Sequence, residues 1–335
     1  MTIKGMLRAA AVAMVACGVA LGCVGCAGSG ANSAGTAGGA GGGKPVVYAT
    51  FFPVKDLTER IVGDKMEVRS VITGSQEPHD FELKTSDMAK LSKADLVVYN
   101  GAGMESFIDD LKRVVGDDSR FLDLSQGLTL LKGKDVHDHD HDGDGDHDGD
   151  HAEDGHGHAH GGVNPHTWLS IRNAQAELTS ICDKVSALDP DNASFYRQNR
   201  DKALAEFKAL DERFAAELGK VPAERRIFVV SHAAFNYLAS DYGMKQVAVT
   251  GISPDEEPSA AELATIADFM KKSGVSTIFF EGTATPKVAE TLAASTGART
   301  STLYTMESLT EDEAALGYLG LMERNLNALL ESFDA

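Results

Sequence analysis

Two hydrophobic periods alternate along the chain. Short apolar runs rich in Val, Ile, Phe and Tyr read as buried strands: VVYATFF, MEVRSVIT, LVVYNG and RFLDLS in the first part. Between them, residues 54–61, 86–94 and 104–115 carry the spacing of amphipathic helices. The same plan restarts after Pro222, where RIFVVS, QVAVTG, VSTIFFE and RTSTLYT alternate with helical stretches, the last beginning about residue 311. Strands alternating with helices predict parallel sheets covered on both faces. The fold class is therefore α/β, with two similar lobes, each a parallel sheet flanked by helices.

The middle of the chain is helical throughout. Residues 172–187 form one predicted helix, and DPDN stops it and starts another. From 193 to 219 the apolar positions Phe195, Leu204, Phe207, Leu210, Phe214 and Leu218 keep a helical period. A helix of about 27 residues is roughly 40 Å long and would join the lobes as a rigid strut. The alternative is an ordinary surface helix of one domain. The predicted organisation is a leader at 1–26, a tether at 27–43, a first lobe at 44–171, a helical linker at 172–222 and a second lobe at 223–335.

Composition changes this picture at two places. Lys4 and Arg8 precede a short apolar run, and small residues then lead into cysteines, as in a secretory signal. ALGC and CVGC resemble the lipobox of bacterial lipoproteins, which implies acylation of Cys26 or, as the alternative, Cys23. Residues 27–43 are almost all Gly, Ala, Ser and Thr, a flexible tether. The expected location is extracytoplasmic, at the membrane surface. Cys182 is the one cysteine left in the body and reads as a small core residue.

The second place is an acidic tract. Eight of the 11 histidines, His137, His139, His141, His147, His151, His156, His158 and His160, lie in it among Asp and Gly. Such a composition cannot build a packed core, so residues 135–161 are expected to be a loop of the first lobe that gathers metal weakly. Its nine Asp and one Glu account for about half of the net charge of −19. The moderately acidic remainder argues against nucleic acid as a partner.

Only His79, His166 and His232 remain outside the tract, in PHDFEL, NPHTWLS and VVSHAAFNYL. His79 follows the second strand, His232 lies just past RIFVVS, and Glu281 ends STIFFE. Ligands of open parallel sheets sit beyond the carboxyl ends of strands. Candidates from strand ends of two lobes, with His166 from the segment entering the helical middle, therefore point to one cleft. Three imidazoles and a carboxylate suit a closed tetrahedron around Zn²⁺. The bland alternatives are hydrogen-bonded core histidines and a glutamate that merely ends a strand. Trp168 is expected to pack under the site. Asp255, Glu256 and Glu257 in GISPDEEPSA are expected to cap a helix, shape the lobe interface or dock a partner.

PHDFEL, ADLVVYNGAGMESF, NPHTWLS, SHAAFNYLA, GISPDEEPSA and IFFEGTATPKVAETLA, in that order, resemble the zinc-binding components of bacterial ABC importers, the ZnuA-type family. The resemblance covers the body from Lys44 onward. It implies two α/β lobes joined by a long rigid helix, metal in the cleft between them, and a permease as partner. Carried over by motif, His79, His166 and His232 would be metal ligands. Glu281 matches a position where some members supply a carboxylate, with Glu77 or water as the alternative fourth ligand. Manganese-binding relatives tend to place an acid where this chain has His232, so the resemblance favours zinc as transported ligand.

The expected activity is high-affinity zinc capture by a monomeric, membrane-anchored carrier, not an enzyme. The alternatives are a manganese or other divalent-metal carrier, a surface adhesin, or a zinc hydrolase. The hydrolase would need an open coordination position and a general base, and no HExxH motif occurs. Deleting residues 135–161 should leave one tight zinc site per molecule and weaken uptake only when zinc is scarce. Loss of tight binding in a zinc titration of the deletion variant would move the site into the tract.

Overall fold

The computed structural model describes residues 43–74, 76–132, 162–254, 258–281 and 287–334. Cys23 and Cys26, the tether to residue 42, the eight tract histidines (His137 to His160) and Asp255, Glu256 and Glu257 lie outside the described residues.

Eight strands form two four-stranded parallel sheets. In the first, β1 (Val46–Ala49), β2 (Glu67–Ser70), β3 (Leu96–Tyr99) and β4 (Phe121–Asp123) run in the order β2-β1-β3-β4. In the second, β5 (Ile227–Val230), β6 (Lys245–Ala248), β7 (Thr277–Phe280) and β8 (Arg299–Thr302) repeat that order as β6-β5-β7-β8. Every pair is parallel, with Val47 opposite Val68 and Leu96 in the first sheet and Val229 opposite Val247 and Ile278 in the second. All four residues of β3 (LVVY) are buried, as a central strand covered on both faces requires. Helices α1 (Phe52–Val62), α2 (Thr85–Leu91) and α3 (Ile108–Val115) make the first lobe's crossovers.

Two helices then form a hairpin, α4 (Ile171–Leu188) and α5 (Ala193–Leu218). Asp189 closes the turn between them, its carboxylate accepting from Asn192 Nδ2 at 2.8 Å and the Tyr196 hydroxyl at 2.6 Å. With 26 residues α5 is about 39 Å long and joins the two lobes. It is a packed spine rather than a free strut. Its buried stripe, Tyr196, Ala203, Phe207, Leu210, Phe214 and Leu218, follows the helical period and faces α1 and α4. Phe195 and Leu204, expected in that stripe, are only partly buried.

The second lobe adds α6 (Asn236–Tyr242), α7 (Ala260–Ser273) and α8 (Lys287–Thr296), followed by α9 (Glu311–Ala314) and α10 (Gly317–Phe333). The sequence pattern predicted one final helix from about residue 311. The break falls where Gly317 takes φ +67°, and a Cβ there would meet Asp56 Oδ2 at 3.3 Å. The chain turns at that point to lay α10 on α1 and α5, with Tyr318 stacked on Phe207 at 4.9 Å between ring centroids. One apolar core therefore runs from the first sheet (Val47, Val98) through the spine to Phe228 and Val230 in the second and Leu303 just beyond it. A smaller cluster, including Val229, Ile266, Met270 and Ile278, fills the second sheet's other face. Among the described residues no helix is long and apolar enough to cross a membrane.

Helix α3 also starts later than the predicted 104. Gly101, Ala102 and Gly103 all have positive φ (+78°, +53° and +84°), so the chain makes a tight turn before the helix begins.

Candidate metal centre

Loops beyond the carboxyl ends of both sheets supply three of the four candidate metal donors. His79 lies in the loop between β2 and α2, and His232 is two residues beyond β5. His166 opens a single 3₁₀ turn, Thr167–Leu169, that leads into α4. Glu307 lies in the loop between β8 and α9. One donor atom from each of His79, His166, His232 and Glu307 falls within 4.8 Å of every other. The Nε2 of His166 is 3.2 Å from Nε2 of His79 and 3.2 Å from Nε2 of His232. Glu307 Oε1 lies 3.0 Å from Nε2 of both His79 and His166. A tetrahedral zinc with bonds of 2.0–2.1 Å has donor–donor edges of about 3.3 Å. Four of the six separations, at 3.0–3.2 Å, are close to that figure, and His232 Nε2 lies 3.6 Å from Glu307 Oε2.

Two of the three rings are aimed by what their other nitrogen meets. Asn164 donates Nδ2 to the Ala233 carbonyl (2.9 Å), which leaves its Oδ1 to accept from the His166 backbone N–H (3.0 Å) and from Nδ1 (2.8 Å). His166 is thereby fixed as the Nδ1–H tautomer with a bare Nε2 lone pair in the pocket. His232 gives Nδ1–H to Glu281, whose Oε1 also accepts from the Ser231 hydroxyl at 2.9 Å. Carboxylate behind imidazole is the usual way a metal-binding histidine is oriented and made more basic.

The fourth donor departs from expectation. Glu281 is not in the converging group: Ser231 and His232 Nδ1 hold its carboxylate behind His232. Glu307 stands where Glu281 was expected. Glu77, the alternative, accepts from the His79 backbone N–H at 3.3 Å and stays outside the group as well. The signal for Glu307 was present, because it lies beyond the carboxyl end of the last strand, as His232 lies beyond β5. Its loop is held by Trp168, whose Nε1 donates to the Thr305 carbonyl (2.7 Å), and by Asn325, which brackets Tyr304. The buried Met306 beside it takes φ +67°, a conformation that costs a non-glycine residue energy and aims Glu307 inward. Trp168 does pack under the site, its ring 5.3 Å from that of His166.

The pocket is closed. His166, His232 and Glu307 side chains are 0–1% exposed and His79 is 11% exposed. Burial pushes His166 down to about 4, so its ring is neutral at physiological pH. Burial also opposes charge on His232, but Glu281 and then Glu307 outweigh it and raise the ring to about 9. Burial opposes ionisation of Glu307, yet His166, His79 and His232 hold its carboxyl well below the usual range. Glu307 Oε2 is buried with no hydrogen-bond partner. A cation among these donors would take the place of the proton on His232 Nε2.

Two parallel-sheet lobes converging on a buried three-histidine, one-glutamate pocket define a bilobal metal-ion-binding protein. Comparison with known proteins narrows the class. The chain belongs to the ZnuA family, described as zinc-uptake complex component A, periplasmic, whose profile matches residues 47–332. It is 40% identical over 289 residues to the high-affinity zinc uptake system protein ZnuA of Bacillus subtilis, covering 85% of this chain and 86% of that one. It is 37% identical over 295 residues to the zinc-binding lipoprotein AdcA of Streptococcus pneumoniae, covering 87% of this chain but only 56% of AdcA. The crystal structure of the Zn(II)-bound ZnuA-like domain of S. pneumoniae AdcA superposes with TM-score 0.71 at 33% identity, over 88% of this chain and all of that domain. The family is a transport component for zinc, not an enzyme.

Behind the pocket, Glu177 of α4 is fully buried 3.2 Å from the Thr167 hydroxyl, and burial pushes its carboxyl up to about 8. The folded protein thus holds a proton that the unfolded chain releases near 4.5. Stability contributed by this group falls as pH rises from about 4.5 to 8 and levels above that. In metal-free protein, denaturant unfolding should show wild type losing a few kcal/mol to Glu177→Gln between pH 5 and pH 8.5. Parallel curves for the two proteins would mean that Glu177 is ionised in the fold.

Proposed function

We propose that the chain captures one zinc ion outside the cytoplasm through His79, His166, His232 and Glu307 and delivers it to the permease of an ABC importer. The observation that carries this reading is the set of four donor atoms lying within 4.8 Å of one another in a buried pocket. A closed tetrahedron leaves no position for a substrate or an activated water, which favours carriage over hydrolysis. Three imidazoles favour zinc over manganese, which prefers oxygen donors. A relative named as a lipoprotein supports an anchor on Cys26 or Cys23. The body would act as a monomer on that tether. By composition the histidine-rich tract supplies weaker zinc sites. The residues flanking it, Lys132 and Val163, pair as an antiparallel bridge close to His166.

Metal analysis and competition titration test the assignment. Purified protein should retain one zinc per chain. Changing His79, His166 or His232 to Ala should cost about 3 kcal/mol, a hundredfold or more in affinity, roughly a quarter of what a four-ligand zinc site supplies. Glu307→Gln should weaken binding more than Glu281→Gln, which acts only through His232. The reverse order would make Glu281 the ligand, and retention of tight zinc by all three histidine variants would overturn the site.

A further inference from the structure

The motif VVYNGAGMESF, which ends β3, contributes no metal donor, yet it contains the most contorted stretch of backbone among the described residues. Its three consecutive positive-φ residues are accompanied by a buried acid. Asn100 is fully buried, and its side chain grips the chain on both sides of His166. Nδ2 donates to the Pro165 carbonyl at 2.8 Å, and Oδ1 accepts from the Thr167 hydroxyl at 2.9 Å. Asn100 is itself fixed from behind. The buried carboxylate of Glu105 accepts from the Thr50 hydroxyl (2.6 Å), the Asn100 N–H (2.8 Å) and the Gly101 N–H (3.0 Å). The turn cannot relax around these bonds. A Cβ on Gly101 would fall 1.9 Å from Asp123 Oδ1, and the Ala102 N–H donates to Ser125 Oγ at 3.2 Å.

We propose that Asn100, locked by Glu105 and the strained Gly101–Gly103 turn, is a positioning residue that sets the backbone of His166 for metal binding. This rests on the reading of His166 as a zinc ligand. Asn164 orients the His166 ring and bonds to the second lobe through the Ala233 carbonyl, while the Asn164 carbonyl accepts from the Tyr237 hydroxyl at 2.7 Å. Asn100 belongs to the first lobe and fixes the residues on either side of the ring. The central imidazole is thus clamped between two asparagines, Asn100 at the end of β3 and Asn164, which is tied to the second lobe through the Ala233 carbonyl. Its Nε2 then needs no rearrangement when the ion arrives. An ordinary structural asparagine would stabilise the fold equally with or without metal. A positioning one also changes the coordination geometry and the affinity.

The test uses the full folded body. Zinc affinity comes from competition titration, coordination geometry from the visible absorption of the Co²⁺-loaded protein, and stability from thermal unfolding of the metal-free protein. Asn100→Ala should lower zinc affinity about tenfold to a hundredfold, the usual cost of losing a group that orients a ligand, and should alter the Co²⁺ spectrum. Thr167→Val, which removes the hydroxyl's bonds to Asn100 and to Glu177, should move both readouts in the same direction by less. Thr167→Ser should restore them, and Glu177→Gln, which leaves the Asn100 bond in place, should leave both unchanged. If Asn100→Ala does not fold, the Thr167 pair decides. Affinities within twofold of wild type with an unchanged Co²⁺ spectrum, in whichever of Asn100→Ala and Thr167→Val fold, would overturn the proposal even if unfolding temperatures drop. His166→Ala separates the two levels. Zinc affinity and Co²⁺ spectrum unchanged in that variant would sink the site reading itself, whereas their loss there and retention in Asn100→Ala and Thr167→Val would sink only the role of Asn100.

Discussion

Imidazole nitrogens held 3.2 Å apart in a buried pocket, with a glutamate against them, are an unfavourable grouping unless a positive charge stands among them. In the absence of metal, a proton on His232 serves in part, because Glu281 and Glu307 raise that ring to about 9. Glu307 Oε2 still makes no hydrogen bond, lying 3.6 Å from His232 Nε2. Burying polar groups unsatisfied costs on the order of 1–3 kcal/mol each, so on the proposed reading the pocket would gain by exchanging its proton for a cation. The rest of the molecule keeps this grouping from relaxing.

Relaxation is opposed at three levels. The two sheets share one strand order, β2-β1-β3-β4 and β6-β5-β7-β8, and loops beyond their carboxyl ends bring His79, His232 and Glu307 together. A single apolar core running through α4, α5 and α10 ties the sheets together. Close to the site, polar bonds cross between segments distant in sequence: Trp168 to the Thr305 carbonyl, the Tyr318 hydroxyl to the Trp168 carbonyl at 2.6 Å, and Asn164 to Ala233. These are bonds of buried groups to backbone, and breaking any of them strands a partner. Rigidity at the site follows from the spine and from these crossings together. His79 stands apart: its loop is held mainly by short-range bonds such as Glu77 to its own N–H, and it is the most exposed of the four donors.

Much of this was legible in the sequence because the fold writes itself in local periods. Strands such as LVVY and IFVV are buried on both faces and so are continuous apolar runs, while the helices between them keep a 3.6-residue period. His79, His166 and His232 stood out because no other histidine lies outside the tract, and strand ends pointed to a shared cleft. What failed depended on contacts between distant segments. The turn at 101–103 uses Ala102 at φ +53°, which no sequence rule favours, and it exists because Glu105, Asp123 and Ser125 hold it. The strand-end rule admitted both Glu281 and Glu307. Only in three dimensions does Ser231 capture one carboxylate while Met306 turns the other inward.

X-ray absorption at the zinc K-edge of the loaded, full-length protein tests the central claim most directly, because it reports the donors of the ion itself. Under conditions giving one zinc per chain, it should return three imidazole nitrogens and a carboxylate oxygen at about 2.0–2.2 Å, in a four-coordinate shell without sulfur. A six-oxygen shell, or one with a single imidazole, would contradict the convergence of His79, His166 and His232 on one ion.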